Sequence, residues 1–258
     1  MNTTGNTILI TGGGSGIGRG LAEAFHALGN QVVIAGRSQK TLDAATQANP
    51  GMKSMTLDIA DAESIRAFAA QAAEAYPQLN VLVNMAGIMR NEKLREQQEP
   101  LVDMEETIAT NLLGPLRLTA ALLPALEAQP HATVMNVTSG LAFVPLAMTP
   151  TYCATKAAIH SYTQSLRYQM KDTSVKVLEL VPPYVQTELM GDRQANDPAA
   201  MPLADYIAEV MEILKTQPEA MEICVERVKA QRFAEQSGGY DAFFKNFNDA
   251  MARARQGE

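Results

Sequence analysis

The chain has 258 residues, of which 47% are hydrophobic and 19% charged, and 28 acidic against 21 basic residues give it a formal charge of −7. That balance excludes gross disorder and argues against nucleic acid or an anionic membrane as partner, since both reward an excess of Lys and Arg. Two cysteines, Cys153 and Cys224, are too few for a disulfide framework and lack metal-ligand spacing. The Met1–Asn6 start has neither a basic region nor an apolar signal segment, and every apolar stretch is interrupted before it could span a bilayer. The expectation is a soluble, cytoplasmic protein with reduced thiols.

The first predicted element is a β-branched run, Thr7–Thr11, which reads as a buried strand. It runs into Gly12-Gly13-Gly14-Ser15-Gly16-Ile17-Gly18, where an amphipathic helix over about 16–28 begins. Glycines there permit a tight turn and let pyrophosphate oxygens approach the backbone, while the helix N-terminus supplies oriented N–H groups. Gly12, Gly14, Ser15, Gly16, Ile17 and Gly18 are therefore expected to cradle a dinucleotide; a plain tight turn is the competing reading.

A second strand, Gln31–Ala35, leads to Gly36-Arg37-Ser38-Gln39-Lys40 before a helix over 39–48. NAD-preferring folds place an acid about 20 residues past the glycines to hold the ribose hydroxyls. No acid occurs here before Asp43. Arg37 instead offers a planar charged fork for a 2′-phosphate, with Ser38 and Lys40 beside it, so NADP(H) is expected over NAD(H).

The third strand, Lys53–Leu57, ends at Asp58 and Ile59; Asp58 could accept the adenine amino group or cap the helix over 61–75. The fourth, Val81–Asn84, ends in Asn84-Met85-Ala86-Gly87, whose small residues would let the backbone lie against a ribose. A helix is predicted over 103–128, interrupted by Asn111, which could hold a water relaying protons to Lys156. The fifth strand, Thr133–Thr138, delivers Ser139. In the helix over 152–171, Tyr152 and Lys156 are four apart and share a face. An ammonium near a phenol favours phenolate, so the Tyr152 pKa should fall toward working pH, as a general acid/base requires. Ser139 would hold the substrate oxygen.

The sixth strand is Lys176–Val181. Beyond Pro182 the pattern loosens: Met190–Pro202 reads as a mobile loop or lid, followed by a helix at Leu203–Lys215, a strand at Met221–Val225 and a final helical stretch. No internal repeat occurs. Apolar strands alternating with helices imply an α/β fold, a doubly wound parallel sheet covered on both faces, with ligands beyond the carboxyl ends of the strands.

Taken together, Thr11-Gly12-x-x-x-Gly16-x-Gly18, Asn84-x-Ala86-Gly87, Asn111, Ser139 and Tyr152-x-x-x-Lys156 resemble the short-chain dehydrogenase/reductase family over about residues 6–190. The resemblance implies one Rossmann-type domain over 1–258 with a seven-stranded sheet, residues 188–258 forming a substrate-side extension, and a homodimer or homotetramer built through the two long helices. It implies that Tyr152 is the proton donor, that Lys156 binds the nicotinamide ribose, and that Ser139 and Asn111 complete the tetrad. The family's Pro-Gly-x-Val-x-Thr stretch appears as Pro182-Pro183-Tyr184-Val185-Gln186-Thr187, which assigns Pro182, Val185 and Thr187 to the cofactor; Pro183 replaces the usual glycine, and Met85 replaces a second Asn. The chain is also similar to a bacterial subgroup labelled DltE-like, through Ala35-Gly36-Arg37, Pro182-Pro183 and the tail Arg232-Phe233-Ala234-Glu235 to Gly239-Tyr240-Asp241.

His26, His131 and His160 show no spacing with carboxylates that suggests a metal, and none is expected; His160 reads as helix surface or a subunit contact. Cys153 reads as packing. Leu141, Phe143, Tyr184, Met148, Met190 and Met201 are expected to line a pocket for an apolar carbonyl compound. The leading function is an NADP(H)-dependent carbonyl reductase. An NAD(H)-preferring dehydrogenase and a non-catalytic NADP(H) sensor are its alternatives.

Overall fold

Strict alternation along the first strand puts Ile8 and Ile10 on one face of the sheet and Leu9 on the other, and helices bury both faces. In the computed structural model, which describes residues 1–97 and 99–256, the elements are β1 (Thr7–Thr11), α1 (Gly16–Ala27), β2 (Gln31–Gly36), α2 (Gln39–Ala48), β3 (Lys53–Thr56), α3 (Ala62–Ala75) and β4 (Leu79–Asn84). There follow α4 (Val102–Ile108), a π-helical turn (Ala109–Leu113), α5 (Gly114–Glu127), β5 (Ala132–Val137), α6 (Pro150–Gln169) and β6 (Val175–Val181). The chain then forms α7 (Asp192–Asn196), α8 (Leu203–Thr216), β7 (Glu222–Cys224), α9 (Lys229–Arg232) and α10 (Tyr240–Gln256). Among the described residues, no helix is long and apolar enough to cross a membrane.

All seven strands are parallel, in the order β3-β2-β1-β4-β5-β6-β7. On one face Leu21 and Phe25 of α1, Leu42 of α2 and Tyr206, Val210 and Leu214 of α8 pack on Ile8, Ile10, Ile34 and Val83. On the other, Ile65 and Phe68 of α3, Leu118, Leu122 and Leu126 of α5 and Leu166 of α6 cover Leu9, Val33, Leu82 and Val134. Each fully buried side chain of this size contributes about 1.5–3 kcal/mol. The order reverses between β1 and β4, so the carboxyl ends of these two strands open the crevice in which such sheets bind ligands.

Two expected elements differ. The helix predicted over 103–128 is broken by the π-helical turn, which holds Asn111, and resumes at Gly114, where a Cβ would stand 2.4 Å from the Ile59 carbonyl oxygen. A single widened turn is a common device for redirecting a side chain at a site. The Met190–Pro202 segment, read as a mobile loop, is folded around α7. Gln194 Nε2 donates to the Val185 carbonyl at 2.8 Å and to Thr187 Oγ1 at 3.1 Å, and Val185 bridges to Met201.

Candidate active site at the sheet's switch point

Thr11, the last residue of β1, joins the two sides of the crevice. Its Oγ1 accepts from the Met85 and Ala86 N–H groups at 3.0 and 3.1 Å. Gly12 follows with φ +67°, and a Cβ there would lie 3.0 Å from Ala86 Cα, so the loops after β1 and β4 approach as closely as backbones can. The fit at Gly18 is tighter, with a Cβ only 2.3 Å from the Gly12 carbonyl oxygen. Ser15 takes the N-cap position of α1 and makes no side-chain cap bond, so the first N–H groups of the helix face the loop unpaired by it. Thr187 lies over this loop, 3.4 Å from where a Gly16 side chain would begin. Backbone donors, a helix N-terminus and room left by absent side chains fit the pyrophosphate of a dinucleotide.

The adenosine end is more mixed. Arg37 is 56% exposed and meets Glu106 Oε1 of α4 at 3.6 Å, while Arg90 bonds the same carboxylate and Asp103. Ser38 is the N-cap of α2, accepting from the Thr41 N–H at 3.3 Å. Asp58 Oδ1 accepts from the Ala60 N–H at 3.0 Å, and the helix-capping role weighed for Asp58 belongs to Asp61, whose carboxylate takes the Glu63 and Ser64 N–H groups. Ile59 and Val185 turn their side chains into the two cores, which leaves only their backbones to meet a ligand.

At the other end, the four residues of the expected tetrad gather beyond β4 and β5. Ser139 hydrogen-bonds Tyr152, and its Oγ also accepts from the Leu141 N–H at 3.1 Å. Asn111 Oδ1 accepts from the Ile88 N–H and its Nδ2 donates to the Ile88 carbonyl, both at 2.8 Å. Asn111 Nδ2 also reaches Thr155 Oγ1 at 3.3 Å. Lys156 Nζ donates to the Val137 carbonyl at 2.8 Å and stands 5.6 Å from the Tyr152 ring centroid. Gly87 faces both, since a Cβ on it would lie 3.3 Å from Asn111 Oδ1 and 3.8 Å from Lys156 Nζ. Asn84 is held below by Thr119 and Asn136, at 2.9 and 2.8 Å. The Pro182 carbonyl accepts from the Gly140 N–H at 2.9 Å and so ties the loop after β6 to the one after β5.

The expected depression of the Tyr152 pKa is not met in the chain by itself. Tyr152 is only 7% exposed, and burial pushes its pKa well above the ordinary value; the Ser139 hydrogen bond offsets part of this. The Lys156 ammonium is directed at the Val137 carbonyl, and burial lowers its own pKa to about 8. An ordinary lysine keeps its proton up to about 10.4. Between these values the unfolded chain binds more protons than the folded one, so this group adds stability as pH rises through that window. Thermal or urea unfolding from pH 7.5 to 10.5 (roughly the window set by these two values) should show a rising contribution in wild type relative to Lys156→Met. Parallel pH dependences of the two proteins would refute it.

The apolar lining differs from expectation. Leu141 and Met148 pack against Tyr152, but Phe143 packs against the sheet's first core, edge-on to His160 at 4.7 Å and beneath the Arg232 guanidinium. Met201 is buried in the same core, and the Tyr184 hydroxyl donates to Asp197 Oδ2 at 3.1 Å. Cys153 is packing, as read. His160 is not plain helix surface. Its Nδ1 lies 2.8 Å from the fully buried Glu179, and with Glu222 the three bring one ligand atom each within 4.8 Å. Glu222 is already held by Arg232 through two bonds of 2.7 and 2.9 Å.

Several supports were not visible from spacing. Thr11, Asn136, Thr155 and Asn248 act through contacts distant in sequence, and Glu92 accepts from Thr151 N–H and Oγ1 at 3.0 and 2.8 Å in the first turn of α6, beside Tyr152.

A family model described as short chain dehydrogenase matches residues 6–198. The chain belongs to the short-chain dehydrogenase family. With that membership goes NAD(P)-dependent oxidoreductase chemistry. The chain is 41% identical over 251 residues to the DltE oxidoreductase of Bacillus subtilis, covering 96% of this chain and 98% of the relative. A short-chain dehydrogenase structure from Streptomyces avermitilis is 26% identical, covers 99% of this chain and all of the other, and superposes with a TM-score of 0.79. A 3-oxoacyl (acyl-carrier-protein) reductase from Agrobacterium tumefaciens with NADP bound is 25% identical, covers 80% of this chain and 86% of the reductase, and gives 0.72.

Proposed function

We propose that this chain is an NADP(H)-dependent carbonyl reductase, the reverse of an alcohol dehydrogenase, in which Tyr152 delivers the proton. The observation that carries the reading is the gathering of Asn111, Ser139, Tyr152 and Lys156 beyond β4 and β5, beside a loop shaped for pyrophosphate. The nicotinamide supplies the hydride when bound. Ser139 Oγ holds the carbonyl oxygen, and the Tyr152 phenol, which burial keeps protonated, donates to that oxygen as charge develops on it. Lys156 binds the ribose beside the phenol, and Asn111 with the Ile88 carbonyl carries the return path for the proton.

Preference for NADP(H) rests on Arg37, whose loose partner Glu106 leaves its fork available to a 2′-phosphate. The NADP in the Agrobacterium reductase points the same way. Charge-assisted hydrogen bonds contribute about 1.5–3 kcal/mol, so Arg37→Asp should weaken NADPH binding roughly ten- to a hundredfold and improve NADH. Titration of both nucleotides checks this, and equal losses for the two would remove Arg37 from the 2′-phosphate.

Self-association through α5 and α6 belongs to the same reading. An apolar groove on the α6 side, lined by Met104 and Ile108 of α4, Leu112 of the π-helical turn and Ala154 and Ala158 of α6, supports the α6 part of it. Sedimentation should give a dimer or tetramer at micromolar concentration; a monomer there would contradict it.

A further inference from the structure

Half-buried positions of α10 fall at Tyr240, Phe243, Phe244, Phe247, Asn248 and Met251, a spacing that lies on one face of a helix. The face is aromatic: Tyr240 and Phe244 stack at 6.1 Å between centroids, and Phe243 and Phe247 tilt together at 6.2 Å. Other positions carry the solvated pair Lys245–Asp249. A helix that merely closed the domain would set this stripe on one of the two cores beside the sheet, and among the described residues neither core includes one of α10. Phe247 and Met251 instead pack, with Met89, Leu141 and Met148, on the small cluster of Leu146, Cys153 and Tyr152.

Asn248 fixes the contact. Its Oδ1 accepts from the Ala147 N–H at 2.7 Å and its Nδ2 donates to the Pro145 carbonyl at 3.1 Å. The helix is thereby docked on the segment that runs from Ser139 to Tyr152, and both Phe247 and Met251 retain surface that a ligand could cover.

We propose that α10 is a wall of the substrate pocket, and that Phe247 and Met251 are specificity-determining residues that select carbonyl compounds bearing a bulky apolar group beside the reacting carbon. The inference rests on the carbonyl-reductase reading for the reaction, while the binding it requires can be read without turnover. One methylene more or less in such a pocket changes selectivity about ten- to two-hundredfold.

The chain contains no tryptophan, so Phe247→Trp places a single indole reporter in this wall. The NADPH complex of that variant is titrated with benzylacetone and with acetone. Benzylacetone should shift and saturate the indole emission, and acetone at the same concentration should not. In parallel, Phe247→Ala and Met251→Ala should lower kcat/KM for benzylacetone roughly tenfold or more and leave acetone within about twofold, with Phe247→Leu recovering part of the loss. An emission response without any turnover keeps the pocket and removes the reductase reading. Unchanged emission, with or without turnover, overturns the pocket, as does an equal loss for both carbonyls in Phe247→Ala, which would make α10 a clamp on the 145–147 backbone.

Discussion

Tyr152→Phe should lower carbonyl reduction by a factor of about 10²–10⁴, the usual worth of a positioned general acid, while NADPH binding stays within a few-fold of wild type. The substitution removes one oxygen from a side chain packed between Leu146, Cys153 and the α10 wall, so the shape of the cluster survives. What disappears, on the proposed reading, is the phenol proton that Tyr152 would deliver to a carbonyl oxygen beside Ser139. Because burial raises the Tyr152 pKa, the phenol is a full proton source at neutral pH, and activity for reduction should not fall at mildly acidic pH through loss of this group. Steady-state rates beside a nucleotide titration separate the two effects. A variant retaining more than a tenth of wild-type turnover would move the proton donor elsewhere.

Gly18→Ala should abolish nucleotide binding and destabilise the fold by about 1–3 kcal/mol, the typical cost of forcing extra volume into a filled space. The new Cβ would stand 2.3 Å from the Gly12 carbonyl oxygen, and the obstacle is backbone, which cannot rotate away as a side chain would. Relief requires the loop or the start of α1 to move, which separates Gly12 from Ala86 and breaks the N–H array proposed to hold the pyrophosphate. Gly5→Ala is the control: it carries the same substitution at a glycine with φ +76° and nothing within 4 Å. It should show only backbone strain, with nucleotide affinity intact. Urea unfolding and NADPH titration of both variants check the pair; wild-type affinity in Gly18→Ala would show the cradle to be something other than a phosphate site.

Local chemistry was legible wherever one element alone decided it. All seven strands could be located, most of them because β1, β2, β4, β5 and β6 are apolar runs buried in the sheet, and the glycine loop because its position after β1 and before α1 is itself the signal. The break in the helix at Asn111 showed in the sequence only as a poor helix former. The π-helical turn spans five residues, too few for its altered period to register, and the close approach of the Ile59 carbonyl, in the loop between β3 and α3, to Gly114 joins positions far apart in sequence. The partners of His160 were equally hidden, because Glu179 and Glu222 lie on β6 and β7 and adjoin only through sheet register. Asn248 belongs to the same class, since its partners, Pro145 and Ala147, are about a hundred residues away. The fall expected for the Tyr152 pKa failed for a different reason. Spacing placed the ammonium four residues away, but could not reveal that it would donate a hydrogen bond to the Val137 carbonyl or how deeply the phenol would be buried.

Carbonyl reduction by this site can be read by following nicotinamide absorbance while the purified protein meets a panel of aldehydes, ketones, diketones and quinones, with NADPH and NADH run side by side. The expected result is substrate-dependent oxidation of NADPH, with kcat/KM favouring it over NADH. Tight NADPH binding by folded protein, with no turnover in either direction on any of these compounds or their alcohols, would contradict it and leave a nucleotide sensor as the better description.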